Sequence, residues 1–345
     1  MKPHVLVARL DNAGDVLLAG PAIRAVAAAS RRVTLLCGPR GEAAARLLPG
    51  VDEIVVYDAP WVALRPEPLD REETLALVDR LSGLHLDQAI IFTSFHQSPL
   101  PLALLLRMAG VPFAAATSVD YPGALLDIRH RISDDVHEVE RSLDLVRTVG
   151  YELPSGDDGR LAIKRAGGRP AEVGDEPYVV LHPGASVPAR AWPAERYAAL
   201  ANTLVERGWR VVITGGRGER NLTARVARPP RSAVVDLGGE TDLADLAEVV
   251  ASAQAVVVGN TGPAHLAAAV GTPVVSLFAP TVPAVRWRPW RVPHVLVYED
   301  VPCADCRARV CPVEGHPCMS AISVADVLEA CRELIGDRSE VGAAR

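Results

Sequence analysis

The chain has 345 residues, 49% hydrophobic and 23% charged, a length that suits two domains better than one and a composition that excludes disordered, collagen-like and coiled-coil proteins. Lys and Arg total 36 against 42 Asp and Glu, a formal charge of −6, so no global basic field exists to attract nucleic acid, and any phosphate-binding charge is local. Apolar runs such as 102–106 fall far short of the ~20 residues of a membrane-spanning helix, and Met1-Lys2-Pro3 leads straight into an apolar run without a signal-peptide layout; a cytoplasmic protein is expected.

Short β-branched runs alternate with Ala- and Leu-rich amphipathic stretches along the chain, the pattern of parallel sheets covered by helices on both faces; the class is α/β. In the first half, strands are predicted near 5–10, 33–37, 54–57, 89–92 and 113–116, and a helix over 134–149 closes the series. Turn formers then dominate from Pro154 through Pro170, and a linker is placed near 165–176. A second series follows with strands near 178–181, 210–214, 234–237, 255–258 and 274–278, and a last helix over 324–335 precedes a frayed tail.

The first strand ends in Arg9-Leu10-Asp11-Asn12-Ala13-Gly14-Asp15, which places Asp15 beyond the carboxyl end of a strand, where open α/β sheets bind ligands. A carboxylate there is a candidate general base; the alternative is a first-turn Asp favoured by the helix dipole. His96 and Gln97, past the fourth strand, are further candidates on this side without a specific signal. The G-x-G-x-x-G dinucleotide fingerprint is absent after the first strand, which disfavours a nicotinamide dehydrogenase.

In the second half, His182-Pro183-Gly184 and Arg190-Ala191-Trp192-Pro193 lead into a helix, and Arg190 is a candidate phosphate ligand, with an ordinary surface arginine as the alternative. Gly215-Gly216-Arg217-Gly218-Glu219 permits close backbone approach, and Glu219 is a candidate acceptor for ribose hydroxyls. The strongest local pattern is Val256-Val257-Val258-Gly259-Asn260-Thr261-Gly262-Pro263-Ala264-His265, a strand that turns abruptly into a helix. The N–H groups of Thr261 and Gly262, the Thr261 hydroxyl and His265 are candidate diphosphate ligands.

Taken together, Gly14-Asp15-Val16 with Pro21, His182-Pro183-Gly184, Arg190 before Trp192-Pro193, and the run 259–269 resemble glycosyltransferase family 9, the ADP-heptose:lipopolysaccharide heptosyltransferase family. The resemblance implies a GT-B architecture of two Rossmann-like domains facing a cleft: 1–165 for the acceptor, 177–325 for the nucleotide sugar, and a helix and tail at 326–345 that brace the first domain. It implies an inverting transferase for an ADP-sugar, heptose in this family, acting on a lipopolysaccharide-core-like or other glycan, glycolipid or small glycoside acceptor, with peripheral contact to the inner membrane face through that acceptor.

By the same resemblance Asp15 matches the general base, Arg190 the basic residue on the donor phosphates, Thr261, Gly262 and His265 the diphosphate turn, and Glu219 a ribose-binding acid. A guanidinium and helix amides can stabilise the departing ADP, so no metal or other cofactor is required for catalysis. The family carries Asp where this chain has Asn260, beside the donor sugar, which points to an altered sugar preference. A sugar-nucleotide epimerase or hydrolase of the same fold, and a non-catalytic sugar-nucleotide-binding protein, are the alternatives.

Four of six cysteines fall in Cys303-x2-Cys306-x4-Cys311-x6-Cys318, with His316 nearby. The spacing fits a structural zinc site; an iron–sulfur centre, reduced thiols and a disulfide are the alternatives. Around 286–290, Arg and Trp residues read as packing and surface positions.

Overall fold

A computed structural model describes residues 1–63, 66–95, 97–168, 170–228 and 232–336. It divides into two compact units, Met1–Lys164 and Arg165–Arg345. The change-over falls where the Lys164 N–H bonds back to Leu47 O at 2.7 Å in the first unit and the Arg165 guanidinium meets Glu248 at 2.6 Å in the second.

The first unit holds six parallel strands: β1 His4–Arg9, β2 Arg32–Cys37, β3 Glu53–Val56, β4 Gln88–Phe92, β5 Ala114–Thr117 and β6 Ile128–His130, in the order β3-β2-β1-β4-β5-β6. The second holds β7 Tyr178–His182, β8 Arg210–Gly215, β9 Val234–Gly238, β10 Ala255–Gly259, β11 Val274–Leu277 and β12 His294–Val297, in the order β12-β11-β10-β7-β8-β9. Read from its other edge, the second order is the first one repeated, and both are the doubly wound arrangement in which the sequence of strands reverses beside the first strand. The reversal falls between β1 and β4 in one unit and between β7 and β10 in the other.

Strands at the centre of a parallel sheet are covered on both faces and therefore read as continuous apolar runs. Val5, Leu6, Val7 and Ala8 of β1 and Ala255 through Val258 of β10 are accordingly buried throughout. On one face of the first sheet Leu6, Ala8, Leu36 and Ile91 pack with Leu102 and Leu106. In the second unit Val179, Leu181, Val211 and Ile213 pack with Trp192, Tyr197 and Leu200, and the helix Val324–Ile335 adds Val327, Ala330 and Cys331 to that same core. That helix starts at the Ser323 cap, whose hydroxyl accepts from the Asp326 N–H at 3.2 Å. Residues 337–345, expected as a frayed tail, lie outside the described residues.

The ten strands expected from sequence all form, within one or two residues at their ends. Two more, β6 and β12, complete the sheets. Both are edge strands of three or four residues with polar members, Ile-Arg-His and His-Val-Leu-Val, and only one of their seven residues is fully buried. β6 is short and polar and shows no apolar run, whereas β12 carries Val295-Leu296-Val297, a run no shorter than that of the edge strand β3, and was passed over. The helix expected from residue 134 begins at Glu138 instead, where His137 accepts from the Val139 N–H and caps it.

Candidate functional site

The carboxyl edge of the first sheet is built around Arg9, the last residue of β1 and 1% exposed. Its Nε lies 2.9 Å from Asp11 Oδ2, its Nη2 donates to Asp15 Oδ1 at 3.2 Å and to Ser94 Oγ at 2.7 Å, and its Nη1 donates to Glu138 Oε2 at 3.3 Å. Three carboxylates thus surround one guanidinium; Arg141 approaches the far oxygen of Glu138 at 3.7 Å. Burial alone would lower the affinity of Arg9 for its proton, but Asp11, Asp15 and Glu138 outweigh burial and hold it firmly cationic. Burial pushes both the Asp11 and Glu138 carboxyls up, against the opposing pull of Arg9.

Asp15 occupies the first turn of the helix Ala13–Leu18. Its Oδ2 accepts from the Asn12 N–H at 3.2 Å while Oδ1 takes the Arg9 bond, so both oxygens are oriented while the side chain keeps 14% of its surface exposed. The two readings of Asp15 are therefore compatible: it completes a helix start and presents a fixed, accessible carboxylate. The sequence reading missed Arg9 and Glu138. An arginine closing an otherwise apolar strand was a usable signal; Glu138, 129 residues away, carried none. Gln97 accepts from the Ser94 N–H at 3.1 Å and donates to Asp11, so it braces the network. His96 lies outside the described residues.

The second carboxyl edge brings together residues from 182 to 279. β10 ends at Gly259, where a Cβ would lie 3.3 Å from Arg190 O, so the Arg190 turn packs directly on the strand end. Arg190 closes the short turn Pro188–Arg190, and its Nη1 donates to Asn260 O at 3.3 Å. Thr261 is extended and begins the nine-residue helix Gly262–Val270, with Pro263 in its first turn; Thr261 and Gly262 are half-buried. The Thr261 N–H is already bonded to Gly259 O at 2.8 Å, so the amide this helix start turns outward belongs to Gly262, since Pro263 has none. His265 is buried below the turn at 6% exposure. Trp192 is a packing anchor: its ring meets Tyr197 edge-on at 4.9 Å, and its Nε1 donates to Ile322 O at 3.0 Å.

Asn260 departs from the expected arrangement in an instructive way. Its side chain is 6% exposed and pairs with the backbone of Ala279 on both sides, Oδ1 accepting from the N–H and Nδ2 donating to the carbonyl, each at 3.3 Å. An aspartate offers only acceptors and could not make the second bond, so the amide fits a structural demand of this chain.

Glu219 caps Gly216, its Oε2 accepting from the Gly216 N–H at 2.7 Å. A Cβ at Gly184 would collide with the Glu219 carboxylate, so the loop after β7 and the loop after β8 meet at these two residues. His182, at the end of β7, shares a 2.9 Å bond with the Thr214 hydroxyl, and burial pulls its pKa down to about 4. Arg190, Asn260, Thr261 and Gly262 thus form one cluster, and Glu219 with Gly184 another along the same edge.

Cys303, Cys306, Cys311 and Cys318 line a single cavity of about 20 Å³, with His316 and Ala189. As placed, they do not form the tetrahedral zinc site that their spacing suggests. Among the described residues no three His, Cys, Asp or Glu side chains come together as a metal-holding group, and all six cysteines are free thiols. In this cavity the Cys311 thiol donates to Val313 O at 3.6 Å, His316 Nε2 bonds Ala189 O at 3.0 Å, and Cys318 is the buried member of the four. Around Trp290, as expected, packing dominates: Arg286 and Trp290 are buried and Arg291 lies 5.1 Å over the indole.

Comparison with known proteins is consistent with this geometry. Residues 76–316 match the family model of glycosyltransferase family 9 (heptosyltransferase). Lipopolysaccharide heptosyltransferase 1 of Pseudomonas aeruginosa is 35% identical over 179 residues, covering 51% of this chain and 48% of the relative. The chain spans about half the length of the curated relatives it matches. Among solved structures, the glycosyl transferase family 9 protein of Veillonella parvula superposes with a TM-score of 0.77 at 17% identity, covering 96% of this chain and 97% of that one. The E. coli heptosyltransferase WaaC, solved with ADP-2-deoxy-2-fluoro heptose, gives 0.71 at 21% identity, covering 96% and 99%. These similarities identify the pair of doubly wound units as the GT-B fold. Among the described residues no helix is long and apolar enough to cross a membrane.

Proposed function

The chain belongs to glycosyltransferase family 9, and we propose that it is an inverting glycosyltransferase that moves a sugar, heptose as the first candidate, from an ADP-sugar to a hydroxyl of a lipopolysaccharide-core-like or related glycan, glycolipid or small glycoside acceptor. On this reading it works in the cytoplasm and meets membrane-bound acceptors peripherally. The first unit takes the acceptor and the second the donor.

The observation that carries the reading is the contrast between the two switch points. At one, a carboxylate is oriented by two hydrogen bonds and left accessible. At the other, a guanidinium adjoins the start of a nine-residue helix. In the proposed reaction Asp15 accepts the acceptor hydroxyl proton as that oxygen bonds to the anomeric carbon and the bond to the diphosphate breaks. Negative charge then grows on the departing ADP. Arg190, the Gly262 N–H and the helix dipole oppose it, with the Thr261 hydroxyl in reach and His265 shaping the turn from below. Preorganised donors of this kind supply their stabilisation through chain residues alone. Glu219 is assigned to the ribose hydroxyls. Asn260 is assigned to shaping the sugar end of the site through its hold on Ala279, which is where a preference different from an aspartate-bearing relative would arise.

The test is nucleotide release from a panel of ADP-, UDP-, GDP- and dTDP-sugars, with and without lipid-core or small glycoside acceptors, using the native chain and Asp15→Asn. Acceptor-stimulated ADP release that disappears in the variant is expected. Acceptor-independent turnover would replace the transferase with an epimerase or hydrolase, and binding without turnover would leave a sugar-nucleotide-binding protein.

A further inference from the structure

We propose that the cysteine loop, residues 301–318, is the positioning element of the donor-phosphate site, with His316 as the residue that holds Arg190 in place. The inference rests on the donor reading of Arg190 and the 260–262 turn.

Those two donor-side pieces come from segments 70 residues apart in sequence, and the loop is bonded to both of their supports. Towards the Arg190 turn, His316 Nε2 donates to Ala189 O at 3.0 Å and the Ala189 N–H donates to Arg309 O at 2.9 Å, so the residue before Arg190 is gripped through both its backbone polar groups. Just beyond the loop, Ile322 O accepts from Trp192 and from Arg196, which fixes the chain on the other side of Arg190. Towards the 260–262 turn, the Asp305 N–H donates to Pro280 O at 2.7 Å and the Arg307 N–H donates to Thr281 O at 2.9 Å. That segment follows Ala279, whose backbone is paired with the Asn260 amide.

The backbone of the loop shows the cost of this arrangement. Five non-glycine residues among those described adopt positive φ, and three are here: Asp305 at 59°, Arg307 at 55° and His316 at 49°. Each of the three makes one of the contacts just named. Left-handed conformations in ordinary residues persist only where surrounding contacts over-determine them. In this loop those contacts are to the supports of Arg190 and Asn260. The four thiols lie inside the clamp, so chemistry at the cavity they line is read at the donor site.

The experiment is a double-substitution cycle on ADP affinity, measured by calorimetry on the full chain: Arg190→Ala, His316→Ala, both together, and His316→Gln. If His316 acts through Arg190, His316→Ala weakens ADP on the order of tenfold in the native background and adds little once Arg190 is gone. Glutamine carries an N–H donor at the same distance from the backbone as the histidine Nε2, so His316→Gln recovers most of the affinity. Equal losses in both backgrounds, or no loss from His316→Ala while Arg190→Ala weakens ADP, overturn the positioning role and leave the donor reading standing. No loss from Arg190→Ala overturns both.

A second measurement needs no substitution at His316. If the loop grips the supports of Arg190 and Asn260, ADP that rigidifies them protects the half-exposed Cys303 and Cys311 from iodoacetamide, read thiol by thiol beside the exposed Cys306, and the chain alkylated at Cys303 and Cys311 binds ADP more weakly. Alkylation and ADP binding that ignore one another overturn the proposal.

Discussion

The two sheets share a strand order, yet their carboxyl edges are furnished in opposite ways. In the first unit a guanidinium is spent internally, buried among three carboxylates, and of these the Asp15 side chain is the most exposed. In the second a half-buried guanidinium bonds a backbone carbonyl beside a helix start. Topology supplies the same crevice twice, and the residues that end the strands decide what lines it: an oriented carboxylate in one unit, a guanidinium beside a helix start in the other.

The sharpest way to break this contrast is Asp15→Asn. Removing a general base costs about 10²–10⁴ in rate, so transfer falls by that factor while ADP affinity, measured by calorimetry, stays within about twofold. A parallel loss of ADP affinity would show that the two edges do not divide the labour. The next effect is on stability. Arg9→Met leaves buried carboxylates without their cation and costs about 3–5 kcal/mol in urea unfolding. Its counterpart on the other edge, Arg190→Met, gives up a hydrogen bond to a carbonyl and costs about 1 kcal/mol. Similar losses at the two positions would mean that Arg190 is as structural as Arg9.

Acid separates the edges by sign. His182 has its folded pKa pulled to about 4, below the ordinary histidine value of about 6.5, so between those pH values the unfolded chain binds a proton that the native chain refuses. Stability from His182 is complete above about pH 6.5 and falls as pH drops towards 4, by about 2–3 kcal/mol at pH 4.5. Asp11 and Glu138 are shifted upward by burial, so the native state gains from their protonation and acidification favours it there. Urea midpoints of the native chain and His182→Gln at pH 7 and pH 4.5 test this: the variant loses less on acidification. An equal loss in both would show that His182 is not the buried neutral group described. Asn260→Asp sets a carboxylate oxygen against Ala279 O and costs about 1–3 kcal/mol in the same unfolding assay.

Much of this site was legible before any coordinates. Asp15 and the 259–265 turn stand out because each follows an apolar strand within a few residues, and a parallel sheet puts strand ends of this kind where ligands bind. The Arg9–Glu138 pair was not legible, since it joins the first strand to a helix 129 residues later. The cysteine window was legible as a cluster, but spacing suggested a metal, whereas the folded loop commits His316 to Ala189 and the Cys311 thiol to Val313. Asn260 read as a change of sugar preference; its first role in the structure is to hold Ala279.

Local pattern alone therefore determined the α/β class, the two series of strands, the central strands themselves and the turns that carry Asp15, Arg190 and Gly262. These depend on periodicity and turn chemistry over a dozen residues or fewer, which a sequence displays directly. The tertiary structure alone decided which cation neutralises which carboxylate, what the Asn260 amide bonds, where the sheets end and what the cysteine loop grips. Arg9–Glu138, Asn260–Ala279 and His316–Ala189 join residues 129, 19 and 127 positions apart; such contacts are set by the order of strands and the direction of loops, and no local periodicity encodes them.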